Sequence, residues 1–296
     1  MPLNADHYYG SEAKNYNSRA RSPKWRAEDR LYREYVDAGP VLDVPCGTGR
    51  YFGWYIERGY DFTAVDVSPD MLAEARKVAP GADIREGSIF ALPDGKWKHV
   101  VCSRMAQWLY PEDLKKAVAE MQRVGEVINM SIRVGDKGHA HHCKSWTHSE
   151  DDMLESLQGW MITRRDTISE RNNCRYDLIQ FRATTYGDVL GWFKDRPKGT
   201  IEKLLAEFAP RVGLEPFGPS DNVRCEYWTA GQHKALIDRQ AEFDPRARTT
   251  NPPRWKHGPI VVVEKGGHQA MIDGRHRAHM RQSISGRHPV LVMNCD

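Results

Sequence analysis

From about residue 25 to 185 the chain alternates short apolar runs with longer stretches in which apolar positions recur every three or four residues. PVLDV (40–44), FTAVDV (62–67), HVVCS (99–103) and EVINMSI (126–132) are the runs, and their length and continuity predict buried strands. Between them GRYFGWYIERG, SPDMLAEARKVA and EDLKKAVAEMQRV carry the spacing of helices. Strand and helix in alternation predict an α/β fold, a mostly parallel sheet with helices on both faces. WMITRRDTISER and CRYDLIQFRAT then form two further strands joined at Asn172 and Asn173, an antiparallel pair that closes the sheet. The first domain accordingly spans 1–185.

After Thr185 the pattern gives way to turn-rich and helical pieces, GWFKDRPKGTIEKLLAEF and the Pro- and Arg-rich EFDPRARTTNPPRWKHG, which make a connecting region over 186–257. GPIVVVEKGGHQAMIDGRHRAHMRQSISGRHPVLVMN follows the order strand, Gly-Gly hairpin, short strand, helix, strand. Its core, 258–296, is a small α+β domain.

Composition narrows the function classes. With 296 residues and 40% hydrophobic content the chain supports real cores. Its net charge of +3, from 43 basic and 40 acidic residues, is too small to point to nucleic acid by electrostatics alone. The cysteines, Cys46, Cys102, Cys143, Cys174, Cys225 and Cys295, form no C-x-x-C pair, which excludes a zinc knuckle and a secreted disulfide framework. The start of the chain has no apolar core after a basic segment, and no run reaches the roughly 18 apolar residues of a membrane span. The expectation is a cytoplasmic protein, neither exported nor embedded in a membrane.

The chemistry is concentrated in VLDVPCGTGR (41–50). A strand ending in Asp43, then Gly47 and Gly49, then a helix, is a turn whose missing side chains let a ligand approach the backbone. The next strand ends in Asp66, placed to accept two hydrogen bonds from a ribose diol. Both features suit an adenosine-containing cofactor. A dinucleotide turn wants a third glycine for close helix–strand packing; Phe52 occupies that position and disfavours NAD or FAD.

VLDVPCGTGR, AVDVSPDMLAEAR and REGSIFALP, in this order, resemble the motifs of the class I S-adenosylmethionine-dependent methyltransferases, small-molecule branch, over roughly residues 9–185. The resemblance implies a Rossmann-like sheet and S-adenosylmethionine as cofactor. Asp43, Gly47 and Gly49 would line its methionine part, Asp66 would hold the ribose hydroxyls, Met71 would pack near the adenine, and Ser88 and Ile89 would edge the ring. Pro45 stands where the family usually has its first glycine, which removes a backbone N–H and stiffens the turn.

At the end of the fourth strand, VVCSRMAQWLYPED, the family places residues that face the sulfonium and the substrate. Arg104, Gln107 and Trp108 are the local candidates. The Asn-Pro-Pro-aromatic loop of DNA amino-methyltransferases, which holds a flipped base, is missing there. NPPRW (251–255) lies in the Pro-rich connector instead, and the Pro45-Cys46 pair sits in the cofactor turn rather than at a cytosine-methyltransferase nucleophile position. HAHHCKSWTH (139–148) gathers four histidines and a cysteine, which the family resemblance of the following THSEDDMLESLQGW would place beside the substrate entrance; the readings are a solvated loop, a general base, for which His142 is the candidate, or a metal site, for which the spacing is poor. Tyr9 and Tyr16 resemble the lid tyrosines of such enzymes.

In MIDGRHRAHMRQ a strand, a turn and a helix opening with His276, Arg277 and Ala278 make an anion site. The segment resembles the ParB/sulfiredoxin superfamily, whose corresponding element binds nucleotide phosphates; Asp273, Gly274, His276 and Arg277 would contact ATP or CTP. Arg275 stands where sulfiredoxin has its cysteine, and Asp-Gly-Arg-His-Arg is similar to the superfamily's free-serine kinases. The leading expectation is a methyltransferase acting on a small molecule or nucleotide, with this module fused to it. The alternative is a nucleic-acid-directed protein whose module and connector arginines dock on DNA.

Overall fold

The computed structural model describes residues 13, 15, 16, 22–135, 138–140, 145–192, 199–215, 217–243, 260–273, 278 and 286–296. The chain forms two compact units, one of residues 1–157 with 162–182 and one of residues 158–161 with 183–296.

The first unit opens with α1 (Pro23–Tyr35), then β1 (Val41–Asp43), α2 (Phe52–Arg58), β2 (Phe62–Asp66), α3 (Pro69–Val78), β3 (Asp83–Glu86), β4 (Trp97–Cys102), α4 (Pro111–Val124) and β5 (Gly125–Gly135). It continues through β6 (Gly138–Ala140), β7 (Ser145–Thr147), α5 (Glu150–Ser156), β8 (Trp160–Arg171) and β9 (Cys174–Ala183). Its seven-stranded sheet runs β3-β2-β1-β4-β5-β9-β8. β1 pairs parallel with both β2 and β4, so strand order reverses at β1 and opens a crevice beyond the carboxyl ends of β1 and β4, where open α/β sheets bind ligands. The α/β expectation is met here, and β9 joins β5 antiparallel.

Local chemistry explains these elements. All of β1 is buried, as a central parallel strand requires. Ser22 and Ser68 cap α1 and α3, each accepting a bond from an N–H of the first turn, with a proline at the next position. In α4 the buried residues Leu114, Ala117, Val118 and Met121 recur at helical spacing and face the core. Asn172 and Asn173, at φ 52° and 56°, turn β8 into β9 as a tight hairpin does. Within HAHHCKSWTH, read from sequence as a loop, β6 pairs antiparallel with β7.

In the second unit α6 (Tyr186–Trp192), α7 (Thr200–Phe208), β10 (Val223–Trp228), α8 (Ala230–Phe243), β11 (Ile260–Lys265), β12 (His268–Asp273) and β13 (His288–Asn294) follow in order. Its four-stranded sheet runs β10-β13-β11-β12. β11 is parallel to β13 and antiparallel to β12, and Gly266 and Gly267, at φ 56° and 74°, make the hairpin expected from sequence. β10 comes from the segment read as a connector. Trp228, Leu236, Ile237, Val262, Met271 and Val290 belong to its core. Among the described residues, no helix is long and apolar enough to cross a membrane.

Candidate active site

The turn after β1 is built on backbone that only glycine adopts freely. Gly47 and Gly49 have φ of 56° and 77°. A Cβ on Gly49 would lie 2.6 Å from the Phe52 ring, whereas one on Gly47 would, among the described residues, meet only Tyr16, at 3.9 Å. Phe52 is thus the floor of the turn, fully buried with its ring 4.8 Å from that of Phe62, and Gly47 lines the cleft above it. Asp66, at the end of β2, ties the turn down: Gly47 N donates to Oδ2 at 2.8 Å and Ser68 N to Oδ1 at 2.9 Å. These bonds leave accepting capacity on both oxygens.

Gly47 opens onto a cleft at the β1/β4 crevice. Asp43, Pro45, Asp66, Met71, Arg104 and Trp108 line it, with Tyr16 and Arg50 among their neighbours. Asp43 is buried and accepts a bond from the Tyr55 hydroxyl at 3.3 Å. Burial pushes its carboxyl up to about 8; the Tyr55 bond opposes this and the charge of Asp66 adds to it. Burial likewise raises Asp66, against its backbone N–H donors. Loss of water also pushes the Cys46 thiol up, so it is no nucleophile at neutral pH.

These features fit S-adenosylmethionine: a cradle that a Cβ would fill, and two buried carboxyls in want of positive charge. The glycine turn, Asp43 and Asp66 would hold its charged and ribose portions, with Met71 alongside.

The facing wall is set by a buried acid. Glu28, on α1, has no exposed surface, and it accepts from Arg50 at 3.0 Å, from Arg104 Nε at 2.7 Å and from the Tyr176 hydroxyl at 3.0 Å. Trp25, one turn earlier, lies against both guanidiniums, 4.2 Å from Arg50 and 4.3 Å from Arg104, a cation–π pairing of planar groups. Arg104 itself has φ 59°, and its N–H donates to Ser131 Oγ at 2.9 Å. Burial pushes the Glu28 carboxyl up, but Arg104 and Arg50 outweigh it and hold it below the usual carboxylate range.

The structure therefore gathers Asp43, Pro45, Gly47, Asp66, Met71, Arg104, Trp108 and Tyr16 at one cleft. Gly49 supports the turn from beneath. Gln107 is buried in the short 3₁₀ helix Ala106–Trp108 and is not part of the cleft lining; Ser88 and Ile89, in a small turn closed by a Ser88–Ala91 bridge, also stand outside it. His142, Tyr9, Gly274, His276 and Arg277 lie outside the described residues; Asp273 ends β12. Of the histidine cluster, His148 is buried with Nε2 2.9 Å from the Ala106 carbonyl, where it props the 3₁₀ helix. Among the described residues no group of His, Cys, Asp and Glu is arranged to hold a metal.

Sequence reasoning missed Trp25, Glu28, Arg50 and Tyr176. One signal was present: Trp25, Glu28, Tyr32 and Tyr35 form the buried stripe of α1, and a carboxylate in an aromatic stripe demands a buried cation.

Residues 41–126 match a family model described as a methyltransferase domain. Malonyl-[acyl-carrier protein] O-methyltransferase of Serratia marcescens is 37% identical over 86 residues, 28% of this chain and 33% of that protein. Demethylmenaquinone methyltransferase of Renibacterium salmoninarum is 36% identical over 112 residues, 36% of this chain and 45% of that protein. The chain thus spans a third to just under half of the length of these relatives. Among solved structures, magnesium protoporphyrin IX methyltransferase from Synechocystis PCC 6803 with bound SAM aligns with a TM-score of 0.48 at 15% identity, covering 60% of this chain and 95% of that one.

Proposed function

We propose that this chain is an S-adenosylmethionine-dependent methyltransferase acting on a small-molecule acceptor. The observation that carries the reading is the left-handed turn at Gly47, open to the cleft and tied to Asp66, inside the stretch that matches the methyltransferase domain. The cofactor, when bound, supplies an activated methyl group. The chain's own part is to hold it on the Asp43–Asp66 side and to align an acceptor from the Arg104–Trp108 side, which is chiefly a matter of orientation. A small acceptor, free nucleotides included, is supported by the low net charge and by the fourth-strand segment, which has no base-gripping Asn-Pro-Pro loop.

Calorimetry with S-adenosylhomocysteine tests the cofactor. Binding is expected, and Asp66→Ala should weaken it by about 1–3 kcal/mol through lost charge-assisted hydrogen bonds; no binding by the wild-type chain refutes the assignment. Labelled methyl is expected to enter a metabolite extract. Transfer to plasmid DNA alone would favour the nucleic-acid-directed alternative.

For the second unit the sequence carries the reading. Asp273, Gly274, His276 and Arg277 suit a nucleotide phosphate at a helix start, in keeping with the ParB/sulfiredoxin resemblance. ATP or CTP is expected to protect the full chain against protease, and Arg277→Ala to abolish that protection without changing S-adenosylhomocysteine affinity. Equal cleavage with and without nucleotide rules it out.

A further inference from the structure

Among the described residues, positive charge collects around Tyr176 in excess of the acids that neutralise it. The Lys24 ammonium lies 3.9 Å from the ring centroid and the Arg104 guanidinium 5.6 Å from it. Arg133 stands directly opposite Tyr176 in the β5–β9 register, so both side chains leave the same face of the sheet; Arg133 donates to Ser145 Oγ at 2.6 Å.

Glu28 and Asp29 answer only part of this charge. Glu28 pairs with Arg50 and Arg104, and Asp29 pairs with Arg50 at 2.6 Å. Two acids therefore match two guanidiniums, and Lys24 and Arg133 form no ion pair among the described residues. Burial first, and then the charges of Arg104 and Arg133, lower Lys24 to about 8 against the pull of Glu28. Like charges held together in a half-buried place destabilise the fold until an anion arrives. Arg104 links this cluster to the cleft, because it belongs to both.

We propose that the methyl acceptor is an acidic small molecule whose carboxylate-type oxyanion is held by Lys24 and Arg133 beside Arg104. The inference rests on the methyltransferase reading above. An ammonium and a guanidinium supply charge-assisted hydrogen bonds to such a group, and the guanidinium adds a planar, two-donor fork. The oxyanion is a handle for binding; the Tyr176 ring lies against both Lys24 and Arg104.

The test uses the full chain saturated with S-adenosylhomocysteine and titrated with benzoate and malonate, against benzamide and malonamide as neutral counterparts. The acids are expected to bind at least tenfold more tightly than the amides. Lys24→Met with Arg133→Met should remove that preference while S-adenosylhomocysteine affinity stays within twofold, and Lys24→Arg should keep it. In a parallel arm, labelled methyl is transferred into a metabolite extract split on an anion-exchange resin, with the label expected in the retained fraction. This arm decides alone where neither probe fits the cleft. Equal binding of acids and amides, an acid preference unchanged in the double variant, or label confined to the unretained fraction would overturn the proposal. Failure of S-adenosylhomocysteine to bind at all would instead remove the methyltransferase reading.

Discussion

Replacing Glu28 with glutamine takes away one charge and almost no volume at the centre of the cleft wall. The carboxylate is fully buried, and Arg50 and Arg104 both donate to it. Removing one partner of a buried ion pair costs about 3–5 kcal/mol, because the other charge is left without compensation. Arg50 keeps Asp29 at 2.6 Å, so only Arg104 is orphaned, and the amide oxygen still accepts one bond. The expected loss is therefore at the lower end, about 3 kcal/mol. Urea unfolding followed by tryptophan fluorescence measures it, since Trp25 sits against both guanidiniums. Glu28→Met with Arg104→Met should cost less than the two single changes added together, by 1 kcal/mol or more on the order of contact-pair couplings. Additive costs, or a Glu28→Gln loss below about 1 kcal/mol, the range of an exposed pair, would refute a desolvated network. The acid limb gives an independent sign: a carboxylate held below its ordinary 4.5 contributes stability that is complete above that value and is lost as pH falls through the folded one. Glu28→Gln should flatten that limb.

Three further outcomes follow from single observations. Gly49→Ala brings a Cβ to 2.6 Å from the Phe52 ring at φ 77° and should cost about 1–3 kcal/mol, whereas Gly53→Ala, whose Cβ meets nothing within 4 Å, should be neutral or stabilising by up to about 1 kcal/mol; thermal melts of both check the contrast. His99 lies between the Asp37 carboxylate, 2.8 Å from Nε2, and the Asn129 amide, which donates to Nδ1 at 3.1 Å; burial lowers it from 6.5 against the pull of Asp37, so stability is complete above about 6.5 and falls as pH drops through the folded value, a dependence that urea midpoints should show in the wild type and lose in His99→Gln. Asp43, raised to about 8, must ionise to meet a positively charged ligand, so S-adenosylmethionine affinity should fall between pH 8 and 6, at most about tenfold per unit, with Asp43→Asn flat by calorimetry; a flat wild-type profile would contradict it.

What sequence could reveal here was whatever depends on neighbours along the chain. The strands at β1, β2, β4 and β5 announce themselves because central parallel strands are apolar on both faces. The turn at 47–49 and the hairpin at 172–173 announce themselves because positive φ selects a narrow set of residues. The cleft wall was opaque for the opposite reason. Glu28 finds Arg104 and Tyr176 at separations of 76 and 148 residues; the end of the fourth strand marks Arg104 as a candidate, but nothing local shows the buried acid it pairs with. β3, with the mostly exposed sequence DIRE, has no apolar signal because it is an edge strand carrying charges. β10 was hidden similarly, its alternation of buried and half-buried residues set in a turn-rich stretch.

The wall and the cofactor side are linked by charge, and this gives the Glu28 variant a second consequence. Asp43, Asp66, Arg50 and Arg104 all border one cleft, yet the two aspartates form no ion pair with either arginine among the described residues, because Glu28 and Asp29 engage the guanidiniums first. Asp43, raised by its burial, stays available to a positively charged ligand. Without the Glu28 charge, Arg104 loses its acid and can turn to the other carboxyls that border the cleft. A guanidinium drawn towards Asp43 favours the ionised form, so the midpoint of the S-adenosylmethionine binding profile should move below 8 in Glu28→Gln even as affinity at high pH declines, the arginine now competing with the ligand. Binding profiles of the wild type and the variant, measured at matched ionic strength, separate this from simple loss of fold, which lowers affinity at every pH and leaves the midpoint in place. An unmoved midpoint would mean that Arg104 is held by Trp25 and Ser131 alone, and that Glu28 does nothing to keep the aspartates free.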